Sequence, residues 1–412
     1  MGLHVRLTNK LILFAALAAG CLFGRSAVGA AERIDQAVAL VQSQQGKKCP
    51  SPNELDAILG KASAFMGQSQ FQAAAVLLQP ISGKDCDARI DLLLAAATEG
   101  AGDSDGATAL LQRAHLVWPA DNSIATSLAR QYLAGKELDK AVKALAHFHA
   151  TAETPEQEIQ MAAVVYLAAH RLVQAQTVAE AAYKYYPAVR TLLLVANTLQ
   201  MQGRYPDVNR LLGSQRQTYA DSPEFFVTLA ESEFDASLYP AAREDLQRAI
   251  ALNPSMYQAH YLLGNVLSRL TDLDGAVAEY RRAIELAPSQ PRTYFQLALV
   301  LRSKQDPVGE QHALEQAIAA DRNYSPAECE MGALLLDQQR PADAVSYLTA
   351  AVQSNPRYEK AYLLLAKSYA ALGENDKRDQ MVQRLQAVRD ENRLSTNDKN
   401  QNGSISGEPT SP

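Results

Sequence analysis

Apolar residues in this chain recur every three to four positions along stretches broken by short polar turns, the period of one buried face on an α-helix. Residues 257–290, YQAHYLLGNVLSRLTDLDGAVAEYRRAIELAPSQ, show the arrangement. Leu263, Gly264 and Leu267 share a face of the first stretch, and Ala276, Tyr280, Ala283 and Ile284 share a face of the second. A turn at Thr271-Asp272-Leu273-Asp274 separates the two, and Pro288 stops the second. The spacing predicts two antiparallel helices. Gly264 and Ala276 stand among bulky neighbours because helices approach closely only where side chains are small.

Stepping by 34 residues, the pattern recurs from 223, 257, 291, 325 and 359; backwards it continues from 189, 156, 122, 88 and 55, with two units short by one residue. The eighth position is small in all ten units: Ala62, Ala95, Ala129, Ala163, Ala196, Ala230, Gly264, Ala298, Gly332 and Ala366. The twentieth is Ala74, Ala107, Ala141, Ala175, Ala242, Ala276 and Ala344 in seven of them. Pro119, Pro187, Pro254, Pro288 and Pro356 close second helices at position thirty-two.

These residues make the chain resemble the tetratricopeptide repeat family over residues 55–392. Ala114, Ala182, Ala249, Ala283, Ala317 and Ala351 match the family's small twenty-seventh position, and Tyr132, Tyr166 and Tyr369 its aromatic near eleven. The resemblance implies an all-α fold, a right-handed superhelical α-solenoid of about ten antiparallel helical hairpins. Position twenty departs from the family at Val208, Glu310 and Arg378, so repeats 189–222 and 291–324 are expected to pack more loosely. Arg378 belongs to the last repeat, where a polar face suits a capping helix.

The ends differ from the array. Residues 1–30 have a basic start, a thirteen-residue apolar run and a small-residue exit, the pattern of a secretory signal peptide with cleavage after Ala30. Thirteen helical residues cover about 20 Å, short of a bilayer core of about 30 Å. Leu17-Ala18-Ala19-Gly20-Cys21 competes as a lipobox, which would leave Cys21 lipidated. Both readings export the protein to the periplasm or cell envelope. Within 31–54, Ile34, Ala37, Val38 and Val41 lie on one face of a helix expected to cover the first hairpin. Residues 393–412 are polar and nearly without apolar anchors, so a disordered tail is expected.

The net charge of −6 becomes −9 without the first thirty residues, unsuited to a general nucleic-acid binder. Catalysis needs groups held together, and the sequence offers no nucleophile elbow, P-loop or HExxH. No enzyme, cofactor or metal is expected. His147 and His149, two apart on an expected helix, fall about 200° apart around its axis and cannot chelate one ion. His260 is expected to be a packed imidazole. Asp398, Asn400, Asn402 and Gly403 imitate an EF-hand loop, but Glu408 comes one residue early and no exit helix follows. Cys49 and Cys86 precede the first helices of adjacent hairpins and are candidates for a disulfide in an exported protein; Cys329 has no evident partner.

In the proteins this chain resembles, positions two, five, nine, twelve and thirteen line a concave groove. Carried over, these are Arg190 and Asn197, then Tyr261, Asn265, Arg269, Arg292, Phe295, Leu299, Arg302, Lys360 and Lys367, with Glu224, Glu231 and Asp235 as an acidic patch before the basic one. The basic cluster favours a protein or peptide partner with an acidic segment or free carboxylate. The family's dicarboxylate clamp is not reproduced, since Tyr261 stands at its basic position five. The function expected is a non-catalytic interaction scaffold of the bacterial envelope, contacting membrane only through a lipid at Cys21. The alternative is an accessory subunit that presents substrate to an envelope enzyme.

Overall fold

The computed structural model describes residues 49–404 except Asp85, leaving aside the side chains of 395–404. The leader with Ala30 and Cys21, the amphipathic stretch 31–45, and 405–412 lie outside the described residues. The described chain forms α-helices and no strand, in two compact units that meet in sequence at Gln202 and Gly203. In the first unit, hairpins are made by α1 (Pro52–Gly67) and α2 (Phe71–Leu78), α3 (Ala88–Gly100) and α4 (Ser104–Val117), α5 (Asn122–Ala134) and α6 (Leu138–Ala144), and α7 (Glu156–Ala168) and α8 (Leu172–Tyr185). The last of these packs on α9 (Val189–Met201). In the second unit, α10 (Tyr205–Gly213) packs on α11 (Pro223–Asp235), which pairs with α12 (Tyr239–Leu252). Then α13 (Tyr257–Arg269) pairs with α14 (Leu273–Leu286), α15 (Pro291–Ser303) with α16 (Pro307–Ala320), α17 (Ser325–Asp337) with α18 (Pro341–Ser354), and α19 (Glu359–Ala371) with α20 (Asn375–Ser404). Each unit is a stack of antiparallel hairpins, an α-solenoid.

Local chemistry fixes the helix ends. Asp87, Asp103, Asp121, Ser222, Asp272 and Asp306 each accept a hydrogen bond from a backbone N–H of the helix they precede. Nine first helices begin at the expected residues, and α1 begins three earlier. There Pro52 opens the helix, and the Glu54 carboxylate accepts the Ser51 N–H at 3.0 Å.

Inside every hairpin the chain reverses through one left-handed residue at position fifteen. Gly102, Gly203 and Gly373 fill it in three repeats; Ser69, Lys136, His170, Ser237, Thr271, Gln305 and Gln339 fill it in the others, at φ between 53° and 62°. Two backbone hydrogen bonds close nine of these turns. In repeat 291, Gln305 N–H donates to the Arg302 carbonyl at 2.9 Å and Asp306 N–H to the Leu301 carbonyl at 3.0 Å.

The hairpin seam places position eight against position twenty-four. A Cβ on Gly264 would sit 2.7 Å from the Tyr280 ring, and one on Gly332 2.4 Å from Leu348. In six other repeats position twenty-four is a buried leucine (Leu78, Leu111, Leu145, Leu212, Leu246 and Leu314), while repeat 156 has the buried Ala179 and the last repeat the exposed Val382. The looser packing expected in repeat 291–324 is not what the side chains show. Glu310 is 3% exposed, with its carboxylate 2.6 Å from the Arg302 guanidinium. A long side chain that reaches back to a cation fills the seam without forcing the helices apart.

Two other expectations change. His147 and His149 are not on a helix: α6 ends at Ala144, and they lie in the irregular stretch before α7, where the His149 carbonyl accepts from Asn122 Nδ2 at 2.8 Å. The tail expected from 393 is helical as far as Ser404. Its start is anchored where Leu385 and Val388 pack on Tyr362, and extending a formed helix needs no new nucleus.

Candidate partner-binding surface

In the first unit Arg190 and Asn197 are exposed on α9. Arg190 is engaged: its Nε donates to Glu156 on α7 at 2.6 Å, with a second hydrogen bond beside it, and this holds the Glu156 carboxyl below the usual range.

In the second unit the expected basic cluster divides in two. Glu330, buried on α17, lies between the Arg302 guanidinium at 2.7 Å and the Lys360 ammonium. Burial works to raise its carboxyl, but Lys360 and Arg302 prevail and hold it low. Since Arg302 also pairs with Glu310, two cations and two buried carboxylates neutralise one another. Arg302 and Lys360 are therefore structural and do not present free charge. Reversing Arg302 would bring three carboxylates together, so that substitution is no test of partner capture.

The other part is open. Tyr257 and Tyr261 stack with ring centroids 6.0 Å apart, Phe295 meets Tyr324 edge-on at 5.7 Å, and the Tyr257 hydroxyl lies 2.8 Å from Thr293 Oγ1. The exposed Arg292 lies beside the hydroxyls of Tyr261 and Tyr324. Burial pushes both phenols above their ordinary range, and Arg292 works against it. Asn265 Oδ1 accepts the Tyr280 hydroxyl at 2.7 Å, and its amide group lies beside the Tyr261 hydroxyl. Phe295 and Leu299 are half-buried, and Arg269 and Lys367 are exposed. Tyr324 escaped the sequence reading because it occupies the last position of its repeat, where the pattern shows only a connection. Tyr358 at the same place in the next repeat was the available signal.

The acidic residues lie on α11. Glu231 is half-buried and pushed up first by burial and then by Asp235 one turn later; burial also raises Asp235. Among the described residues no group of three His, Cys, Asp or Glu side chains could hold a metal. His260 is buried, with Nδ1 2.6 Å from Glu279 and Nε2 3.1 Å from the Pro254 carbonyl, so both nitrogens are engaged. Cys49 and Cys86 are joined in a disulfide with Cα atoms 5.8 Å apart. Cys329 is free and buried, its thiol pushed up to about 11 chiefly by burial.

Two family models described as tetratricopeptide repeat match residues 227–291 and 335–394. No curated protein matches the chain. Among solved structures, Pseudomonas aeruginosa pilF is 17% identical at a TM-score of 0.44, covering 48% of this chain and 90% of that one. A tetratricopeptide repeat protein from Parabacteroides merdae is 14% identical at 0.44, covering 57% and 93%; MamA is 20% identical at 0.38, covering 40% and 97%. With the small-residue seam in phase from Ala62 to Ala366, a helical hairpin in every register and family matches at 227–291 and 335–394, the chain is a tetratricopeptide repeat protein.

Proposed function

We propose that this protein is a non-catalytic scaffold of the bacterial cell envelope, exported by its leader, which holds partner proteins by segments laid across the first-helix faces of its repeats. The observation that carries the reading is the surface of Tyr261, Arg292, Phe295, Leu299 and Tyr324 in the second unit, where aromatic, aliphatic and cationic groups stay partly open to solvent. Most charges nearby are spent on ion pairs within the fold; these groups are not. A surface built on packed helices is preformed, so a partner gains contacts without the cost of ordering it. Such recognition works through shape and charge and involves no reaction.

A photoreactive amino acid at Phe295 or Leu299, compared with one at the exposed Val308 on α16, tests this in a Gram-negative host with the native leader. The expected result is covalent adducts with defined proteins from 295 and 299 and none from 308. Equal labelling at all three, or labelling at 308 alone, would refute the groove. Intact mass of the envelope-fraction protein should give a chain starting at Ala31 or at a lipidated Cys21. A chain retained in the cytoplasm with Met1 in place would refute export.

A further inference from the structure

The repeats themselves show what is missing at Arg292. Position two of a first helix carries a cation at Arg89, Arg190, Arg292 and Lys360. Three of these reach a side-chain carboxylate on the first helix of the preceding repeat. Arg89 lies 3.3 Å from Asp56, Arg190 pairs with Glu156, and Lys360 pairs with Glu330. The first helix of the repeat before Arg292 is α13, YQAHYLLGNVLSR, which has no acidic residue. Among the described residues no carboxylate pairs with Arg292. Asp321, which lies toward Tyr324, accepts the Asn323 backbone N–H at 2.9 Å instead.

Resting on the groove reading above, we infer that Arg292 is the receptor for an Asp or Glu side chain of the partner's extended segment, which takes the place that Glu156 and Glu330 fill elsewhere in the chain. The surroundings suit a carboxylate. Arg292 carries a permanent positive charge, and the hydroxyls of the partly buried Tyr261 and Tyr324 lie beside it. The Phe295–Tyr324 pair forms an apolar wall for the residue beside the acid. Glu231 and Asp235 on α11 repel a run of acids, so the segment carries one carboxylate next to an aromatic or aliphatic residue rather than an acidic tract. A side chain is favoured over a chain terminus because every internal stand-in (Asp56, Glu156 and Glu330) is a side-chain carboxylate.

The test is a fluorescein-labelled library of hexapeptides blocked at both ends, each made with either Glu or Gln at the fourth position, read by anisotropy against the full chain. The expected result is that some sequences bind and that their Glu versions bind at least about tenfold more tightly than their Gln versions, as a charge-assisted hydrogen bond supplies. Arg292→Gln should erase that ratio while leaving the circular dichroism unchanged, and Tyr324→Phe should reduce it several-fold. Tyr257→Glu, which places an acid at position one of the preceding first helix, as Glu156 stands before Arg190, should occupy Arg292 internally and erase it too. Peptides that bind the wild type without a Glu preference, or a preference that survives Arg292→Gln, would overturn this inference and leave the groove intact. Peptides that bind nowhere would overturn both. An unblocked Gln peptide that equals the blocked Glu one would show that a chain terminus, not a side chain, is the ligand.

Discussion

Gly264 and Tyr280 offer a sharp test of the hairpin seam. Seven repeats carry leucine at position twenty-four, and six of those have alanine opposite at position eight; repeat 257 alone has tyrosine, opposite glycine. The Tyr280 ring is 1% exposed and its hydroxyl is fixed on Asn265 at 2.7 Å, so it has no room to retreat. In Gly264→Ala the new Cβ starts 2.7 Å from two ring carbons. The ring would have to give by roughly 0.7 Å to regain ordinary contact. Overpacking of this kind costs about 1–3 kcal/mol, against which alanine's better helix propensity returns about 1 kcal/mol. The single variant should therefore be destabilised by up to about 2 kcal/mol. Gly264→Ala with Tyr280→Leu recreates the Ala–Leu pairing used six times elsewhere, so the double-mutant cycle should show a favourable coupling of about 1–3 kcal/mol. Urea unfolding followed by circular dichroism measures the cycle, and amide exchange in α13 and α14 reads it locally, which matters in a repeat array that need not unfold in one step. Additive effects, or a Gly264→Ala variant that is stabilised by its propensity, would refute the seam as described.

Four further outcomes follow from the structure. Replacing Cys49 and Cys86 with serine opens a loop of sequence separation 37 and should cost the first hairpins roughly 3–4 kcal/mol in the chain-entropy model, read as early exchange of the α1 and α2 amides. Glu233 is pushed up to about 8, first by burial and then by Asp245, with Glu244 adding to it and Arg216 opposing. It stays protonated in the fold where the unfolded chain would ionise, so its contribution is complete below about pH 4.5 and is lost as pH rises toward about 8. Glu233→Gln should flatten the fall in urea midpoint across that window, and a midpoint that still falls in parallel with the wild type would count against it. Arg302→Gln leaves Glu310 buried without its cation and Glu330 with Lys360 alone, and should cost about 3 kcal/mol, part of it recovered by adding Glu310→Ala, the residue found at position twenty in seven repeats. Thr271→Gly should stabilise by about 0.5–1 kcal/mol, because a β-branched residue is held at φ 62° there; calorimetry showing a lower melting temperature would contradict it.

The candidate surface was only partly legible in the sequence. Register placed Tyr261, Arg292, Phe295 and Leu299 on first-helix faces, because position within a repeat determines which side of a helix a residue occupies. Register does not report which charges are already paired. Arg190, Arg302 and Lys360 share their positions with free groups, yet each is held by a carboxylate that approaches from a neighbouring helix. Tyr324 joins the surface from a connecting residue, outside the periodic positions.

The hairpins, their starts and their small-residue seam were determined by sequence alone, since a period of 34 with alanine or glycine at position eight leaves close-packed helix pairs as the way to bury each stripe. Tertiary structure decided what local preference opposes or does not specify. Seven non-glycine residues adopt the left-handed turn at position fifteen, each at a cost of about 1 kcal/mol that no propensity would choose. They do so because the two helices they join gain more by packing against each other, and against the next hairpin, than the turn loses. Glu310 likewise enters the seam at a position reserved for small residues, because Arg302 stands across from it. Only assembled neighbours could supply that cation, and only they leave Arg292 without an acid of its own.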